Sequence, residues 1–150
     1  MRQITRTCFT LLFAMAISAS LFAQKIAATD KEAVEATLMN YAEGATNGES
    51  ARVVAAFHPA ASMKYVDNKT GEFKDVPIAD FLERVKQNDG KKSNRTQKIV
   101  HLDISGTAAQ AKIEIDGGTY IFHDYMNLLK INGEWKIVSK IFYRIDKQDK

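Results

Sequence analysis

Residues 120–143 read YIFHDYMNLLKINGEWKIVSKIFY. Two apolar-rich runs flank a short Asn132-Gly133 turn. The stretch therefore predicts a long antiparallel hairpin. In its first arm the two-residue period puts Tyr120, Phe122, Asp124, Met126 and Leu128 on one face, and Ile121, His123, Tyr125, Asn127 and Leu129 on the other. The first row is apolar apart from Asp124 and is assigned to the interior. In the second arm the period leaves two readings: Trp135, Ile137, Ser139, Ile141 and Tyr143 form one row, and Lys136, Val138, Lys140 and Phe142 the other.

Upstream of the hairpin, two further segments alternate. Val100, Leu102 and Ile104 alternate with Ile99, His101 and Asp103, and Ala109, Ala111, Ile113 and Ile115 with Gln110, Lys112 and Glu114, so each predicts a strand with one buried and one wet face. Before them come helices. Thr29-Asp30-Lys31-Glu32 has the form of a capping box, followed by Val34, Leu38, Tyr41, Ala42 and Ala45 at helical spacing. A short second helix covers 49–57 and stops at His58-Pro59. Strands are predicted over 61–66 and 72–76 around the turn at 67–71, and Pro77 opens a third helix with Ile78, Phe81, Leu82 and Val85 on one face. The order α-α-β-β-α-β-β-β-β is that of an α+β fold.

Residues 1–23 have the pattern of a secretory signal peptide, with Arg2 and Arg6 preceding an apolar run from Cys8 to Phe22. The domain is expected over residues 24–150, exported to a bacterial periplasm or medium. Cleavage removes the chain's one cysteine, so neither a disulfide nor thiolate chemistry is expected in the mature protein. Loss of Arg2 and Arg6 lowers the formal charge from +3 to +1, which speaks against nucleic acid as a partner. No membrane attachment is expected after cleavage. The basic run Lys86, Lys91, Lys92, Arg95 and Lys98 reads as solvated loop charge. Phosphate loops, nucleophile elbows, zinc motifs and dinucleotide fingerprints are missing from the sequence, and no cofactor is called for.

The element order, with Phe57-His58-Pro59-Ala60-Ala61 after the second helix, Asp124 to Lys130, and Gly133-Glu134-Trp135-Lys136-Ile137-Val138, resembles the putative lumazine-binding family. That family lies in the nuclear transport factor 2-like superfamily, beside SnoaL-like cyclases and ketosteroid isomerases. The resemblance covers essentially the whole chain after the leader. It implies a cone-shaped α+β barrel, a strongly curved antiparallel sheet wrapped around three helices, and a homodimer through the outer sheet face. It also favours the reading that turns Val138, Lys140 and Phe142 inward, where Lys140 could pair with Asp124 or hold an acidic ligand.

Within such a cone, an aspartate set among aromatic and thioether side chains would lose hydration, and Tyr41 is positioned like the tyrosine of the isomerases. Asp124 and Tyr41 together could grip a carbonyl or phenolate oxygen. The isomerases carry a basic carboxylate on the first strand; here that region reads Ala61-Ser62-Met63-Lys64-Tyr65-Val66, with no acid. The expectation is therefore an exported, non-catalytic protein that binds a small, flat, partly apolar molecule. Its expected pocket is lined by Tyr41, Phe57, Met63, Tyr65, Phe81, Tyr120, Phe122, Asp124 and Met126. Two alternatives stand beside it: an isomerase, cyclase or dehydratase using Asp124 with Tyr41 or His58, and an interaction module with a vestigial pocket. His58 reads more simply as a structural histidine after the second helix. His101, His123 and Asp103 on the outer face have no metal-ligand spacing, and no metal is expected.

Overall fold

The structure is a computed structural model and describes residues 30–147. The chain divides into two compact units, residues 1–32 and 33–150. Of the first, residues 30–32 are described, and they are helical. The signal-peptide reading of 1–23 and the Thr29 cap lie outside the described residues.

Among the described residues, three helices and six strands come in the expected order. Helix α1 runs to residue 47, α2 is Ser50–Ala56 and α3 is Ile78–Gln87. The strands are β1 (Phe57–Val66), β2 (Phe73–Pro77), β3 (Thr96–Ser105), β4 (Ala108–Asp116), β5 (Tyr120–Ile131) and β6 (Glu134–Asp146). They form one sheet in the order β2-β1-β6-β5-β4-β3, so α3 connects the two edge strands. The sheet is mixed: β1 pairs parallel to β6, and every other neighbour is antiparallel. Alternation reports which face of a strand is buried, not the direction of its partner, so the parallel pair is new information from the structure.

The β5–β6 turn is as expected: Asn132 and Gly133 take φ of 51° and 86°. Interior positions of β4 and β5 also fall where the two-residue period puts them, with Ala111, Ile113, Ile115, Asp124, Met126 and Leu128 all buried. Two bulges alter the picture elsewhere. In β3 the register shifts between Ile99 and His101, which makes Val100 the extra residue. Val100 is exposed and Ile99 packs on the core with Leu102 and Ile104, whereas strict alternation grouped Val100 with Leu102. In β6 the partner of Asn127 is Ser139 but that of Leu128 is Ile137, so Val138 is extra and the strand turns over there. Trp135 and Ile137 are buried before the bulge, and Lys140 after it, with Phe142 part-buried beyond. Each of the two readings of β6 holds for one half of the strand.

A third irregularity lies between Phe57 and Ser62 in the pairing of β1 with β6. Pro59 has no N–H for a ladder, and the Ala60 N–H donates to His58 Nδ1 at 3.1 Å. Local hydrogen bonding thus replaces the ladder here. Strand β1 accordingly begins at Phe57, several residues earlier than expected.

The C-terminal end of α1 is fixed by a loop distant in sequence. Gly48 closes the helix with φ of 71°, a left-handed conformation suited to glycine. Its carbonyl accepts from Gly90 N–H at 2.8 Å, and Thr46 O accepts from Ser93 N–H at 2.8 Å. A Cβ on Gly48 would stand 2.6 Å from Lys91 N, so no side chain fits between helix end and loop. The Arg95 guanidinium caps the carbonyl of Ala45. Basic side chains at a helix C-terminus complement its partial negative charge.

Candidate functional site

Three elements bring three polar side chains together inside the sheet. Tyr41 comes from the buried face of α1, Asp124 from the interior row of β5, and Lys140 from β6 just beyond the Val138 bulge. Asp124 sits beside the strand position of Lys140, because Met126 pairs with Lys140 and Asp124 with Phe142. The Tyr41 hydroxyl donates to Asp124 Oδ2 at 2.7 Å. Lys140 Nζ donates to Tyr41 Oη at 2.6 Å and lies 2.9 Å from Asp124 Oδ2. Without the bulge, Lys140 would share the outer face with Lys136 and would not meet Asp124.

The trio is dry. Asp124 is fully buried and Lys140 is 5% exposed. Lys140 Nζ lies 4.8 Å from the ring centroids of both Tyr41 and Phe142, and 5.7 Å from that of Phe81, so aromatic faces take part of the place of water around the cation. The Tyr41 hydroxyl is held well above its ordinary pKa, first by burial, then by the charge of Asp124 and the hydrogen bond to it; Arg95 opposes this. Asp124 Oδ1 is buried with no hydrogen-bond partner among the described residues.

Beside the trio opens a cavity of about 520 Å³. Tyr41 and Lys140 are on its wall, with Met63, Phe81, Phe122, Phe142, Val85 and Ile115. Asp124 stands off that wall, accepting from the two residues that do line it. Tyr41 spends its one proton on Asp124, so the donor that faces the cavity is Lys140, with N–H capacity left beyond its two internal partners. This geometry differs from a joint grip by Tyr41 and Asp124 on a ligand oxygen.

Of the other residues expected to line the pocket, Met63, Phe81 and Phe122 do so. Phe57 packs edge-on against Tyr41 with centroids 5.5 Å apart, and Met126 is fully buried; neither lines the cavity. Tyr120 packs on Phe122 and lies under the Arg144 guanidinium, 4.5 Å from its ring centroid. Tyr65 stacks on Phe142 and borders a second, open depression with Asn68, Arg144 and Asp146. His58 accepts from the Ala60 N–H and is absent from the cavity wall. On the outer face His123 lies 3.7 Å from Glu114, and no group of three metal-ligating side chains occurs among the described residues.

Three residues of the run read as solvated loop charge, Lys91, Lys92 and Arg95, line the cavity mouth. Arg84 from α3 and Lys91, Lys92, Ser93 and Arg95 from the following loop all line it, and no aspartate or glutamate does among the described residues. Lys91 reaches Asn88, and Arg95 holds Ser93 and the end of α1, while no ion pair engages Arg84 or Lys92 among the described residues. Gly48 was the available signal: a helix-ending glycine demands a close neighbour only when another segment packs there, and here that segment is the basic loop.

A chain whose curved sheet encloses a cavity of this kind can be compared with known proteins. Residues 29–143 match the model of the family described as "Putative lumazine-binding". The chain belongs to that family. Among curated proteins it is 30% identical over 123 residues to the aldolase FrzH of Cladobotryum sp., covering 81% of this chain and 96% of that one. Among solved structures it is similar to a nuclear transport factor 2-like protein of unknown function from Shewanella baltica, with a TM-score of 0.72, 29% identity, and coverage of 80% and 97%. It also shares its fold with a ketosteroid isomerase-like protein from Erwinia carotovora atroseptica, with a TM-score of 0.59, 14% identity, and coverage of 77% and 95%. The family and the cone fold implied by the sequence motifs are therefore those of the molecule, and it is a protein with a ligand-binding pocket.

Proposed function

We propose that the protein is an exported, non-catalytic binder of a small, flat, partly apolar molecule that carries an anionic or carbonyl oxygen. The observation behind the proposal is the cavity wall: aromatic and thioether surface, one buried ammonium from Lys140, four basic side chains at the mouth and no acid. Flat apolar surface suits the rings, and a cationic mouth draws in and retains an anion. The test uses a matched set of probes. 2-Naphthoate should raise the melting temperature in a saturable way, and 2-naphthylmethylamine at the same concentration should not. Equal or stronger stabilisation by the amine would overturn the proposal.

The non-catalytic element rests on the position of the carboxylate. A base must reach the substrate proton, and Asp124 is off the cavity wall behind Tyr41 and Lys140. An enzymatic reading keeps one specific support, since a relative at 30% identity is an aldolase. Turnover of a carbonyl substrate, lost in Lys140→Met, would favour it. The reading as an interaction module with a vestigial pocket gains nothing from an open hollow of about 520 Å³. Export is supported by the charge-then-apolar pattern of residues 1–23, and N-terminal sequencing of protein recovered outside the cytoplasm tests it.

A further inference from the structure

We infer that Lys140 is a carbonyl-condensing amine, able to capture an aldehyde or ketone in the cavity as a reversible imine. The inference rests on the pocket reading above and adds to it a covalent step that needs no turnover. Lys140 is the one buried lysine among the described residues, and it lies on the cavity wall while the other lysines are part-buried or exposed. A lysine becomes nucleophilic when it is desolvated and has cationic neighbours and a base to take its proton. Burial and a base are present at Nζ itself, and cationic side chains share its cavity. Rings of Tyr41, Phe81 and Phe142 surround Nζ. Arg84, Lys91, Lys92 and Arg95 stand around the same cavity. Asp124 Oδ2 is 2.9 Å from Nζ, and the Tyr41 hydroxyl bridges the two.

The proton inventory closes within the trio. The Lys140 ammonium passes one proton to Asp124, which leaves a neutral amine and a neutral acid. The nitrogen lone pair forms a C–N bond to the carbonyl carbon while the C=O π pair moves to oxygen. That oxygen takes a proton from the nitrogen through the Tyr41 hydroxyl, giving a carbinolamine. Asp124, which does not itself line the cavity, then returns its proton through the Tyr41 hydroxyl to the carbinolamine hydroxyl, the C–O bond breaks, and water leaves. The product is a protonated imine on Lys140 next to the Asp124 carboxylate. Net, a carbonyl compound and an ammonium become an iminium and water, with no external acid, base or oxidant.

The test is reductive trapping. The folded full-length protein is incubated with 2-naphthaldehyde and sodium cyanoborohydride, and the adduct is located by peptide mass mapping. Lys140 should be labelled at least about tenfold faster than any other lysine. Tyr41→Phe should slow labelling at Lys140 by about tenfold or more and leave the slow labelling of exposed lysines unchanged. Adducts spread over exposed lysines, with Lys140 unmodified, would overturn the inference. 2-Naphthoate, which cannot condense, separates the two claims: if it binds while Lys140 stays unlabelled, the imine falls and the pocket stands; if neither happens, both fall.

Discussion

Replacing Lys140 by methionine removes the cation of the buried trio while keeping most of its volume. Asp124 is fully buried and Lys140 is 5% exposed, so neither charge is screened by solvent and no discount for a surface pair applies. Among the described residues, the variant leaves Asp124 with only the Tyr41 hydroxyl as donor, on an oxygen that now holds two, and with Oδ1 still unpartnered. Breaking a buried pair by removing one partner costs about 3–5 kcal/mol, most of it the penalty on the charge left behind. With urea m-values of about 1–3 kcal/mol/M, the midpoint should fall by roughly 2 M. The double variant Lys140→Met/Asp124→Asn removes both charges and keeps a hydrogen-bonding group for Tyr41. It should regain about 2 kcal/mol or more relative to Lys140→Met alone. The assay is equilibrium urea denaturation of wild type, both single variants and the double variant. A Lys140→Met cost under about 1 kcal/mol, or a double variant whose loss equals the sum of the singles, would refute the reasoning.

Other outcomes follow from the same geometry. Tyr41 titrates higher in the folded protein than its ordinary value of 10.0, so above that pH the unfolded chain binds fewer protons than the folded one. Stability contributed by Tyr41 is thus fully present below about pH 10 and falls as pH rises towards the folded pKa, with a limiting slope of about 1.4 kcal/mol per pH unit; denaturation midpoints across this range should show that slope in wild type and a shallower one in Tyr41→Phe. Substituting Arg84 and Lys92 by alanine should weaken 2-naphthoate binding by roughly three- to twentyfold by calorimetry, with the difference shrinking in high salt and melting temperature nearly unchanged, since both are exposed and neither has an ion pair among the described residues. Ile141 and Tyr143 are 51% and 56% exposed on the outer sheet face; light scattering should find a dimer in wild type and a folded monomer in Ile141→Arg/Tyr143→Arg.

Periodicity carried the parts of the fold where the backbone is regular. The interior rows of β4 and β5 and the buried face of α1 follow from spacing alone, because each repeats without interruption. Spacing fails at an inserted residue. Val138 has the size and polarity of an interior residue, yet as the bulge it turns the second half of β6 over and brings Lys140 to Asp124. Val100 does the same in β3 and ends on the surface. No local pattern marks either one, since a bulge is defined by the partner strand. The mouth of the cavity was hidden for a related reason. Lys91, Lys92 and Arg95 look like any hydrated loop until the loop is seen packed against Gly48 and the end of α1. Asp124 and Tyr41, and the inward turn of Lys140 toward Asp124, were recognisable from the resemblance to the isomerases; that Lys140 and not Asp124 lines the cavity was not.

Methionine methyl NMR gives the most direct test of the cavity as a binding site. Met63 lies on the cavity wall, and Met126 is fully buried off it. Titration with 2-naphthoate should shift the Met63 methyl resonance in a saturable way and leave Met126 nearly still, and Lys140→Met should abolish the Met63 shift. A Met63 resonance that stays in place while exposed residues of the outer sheet respond would contradict the account.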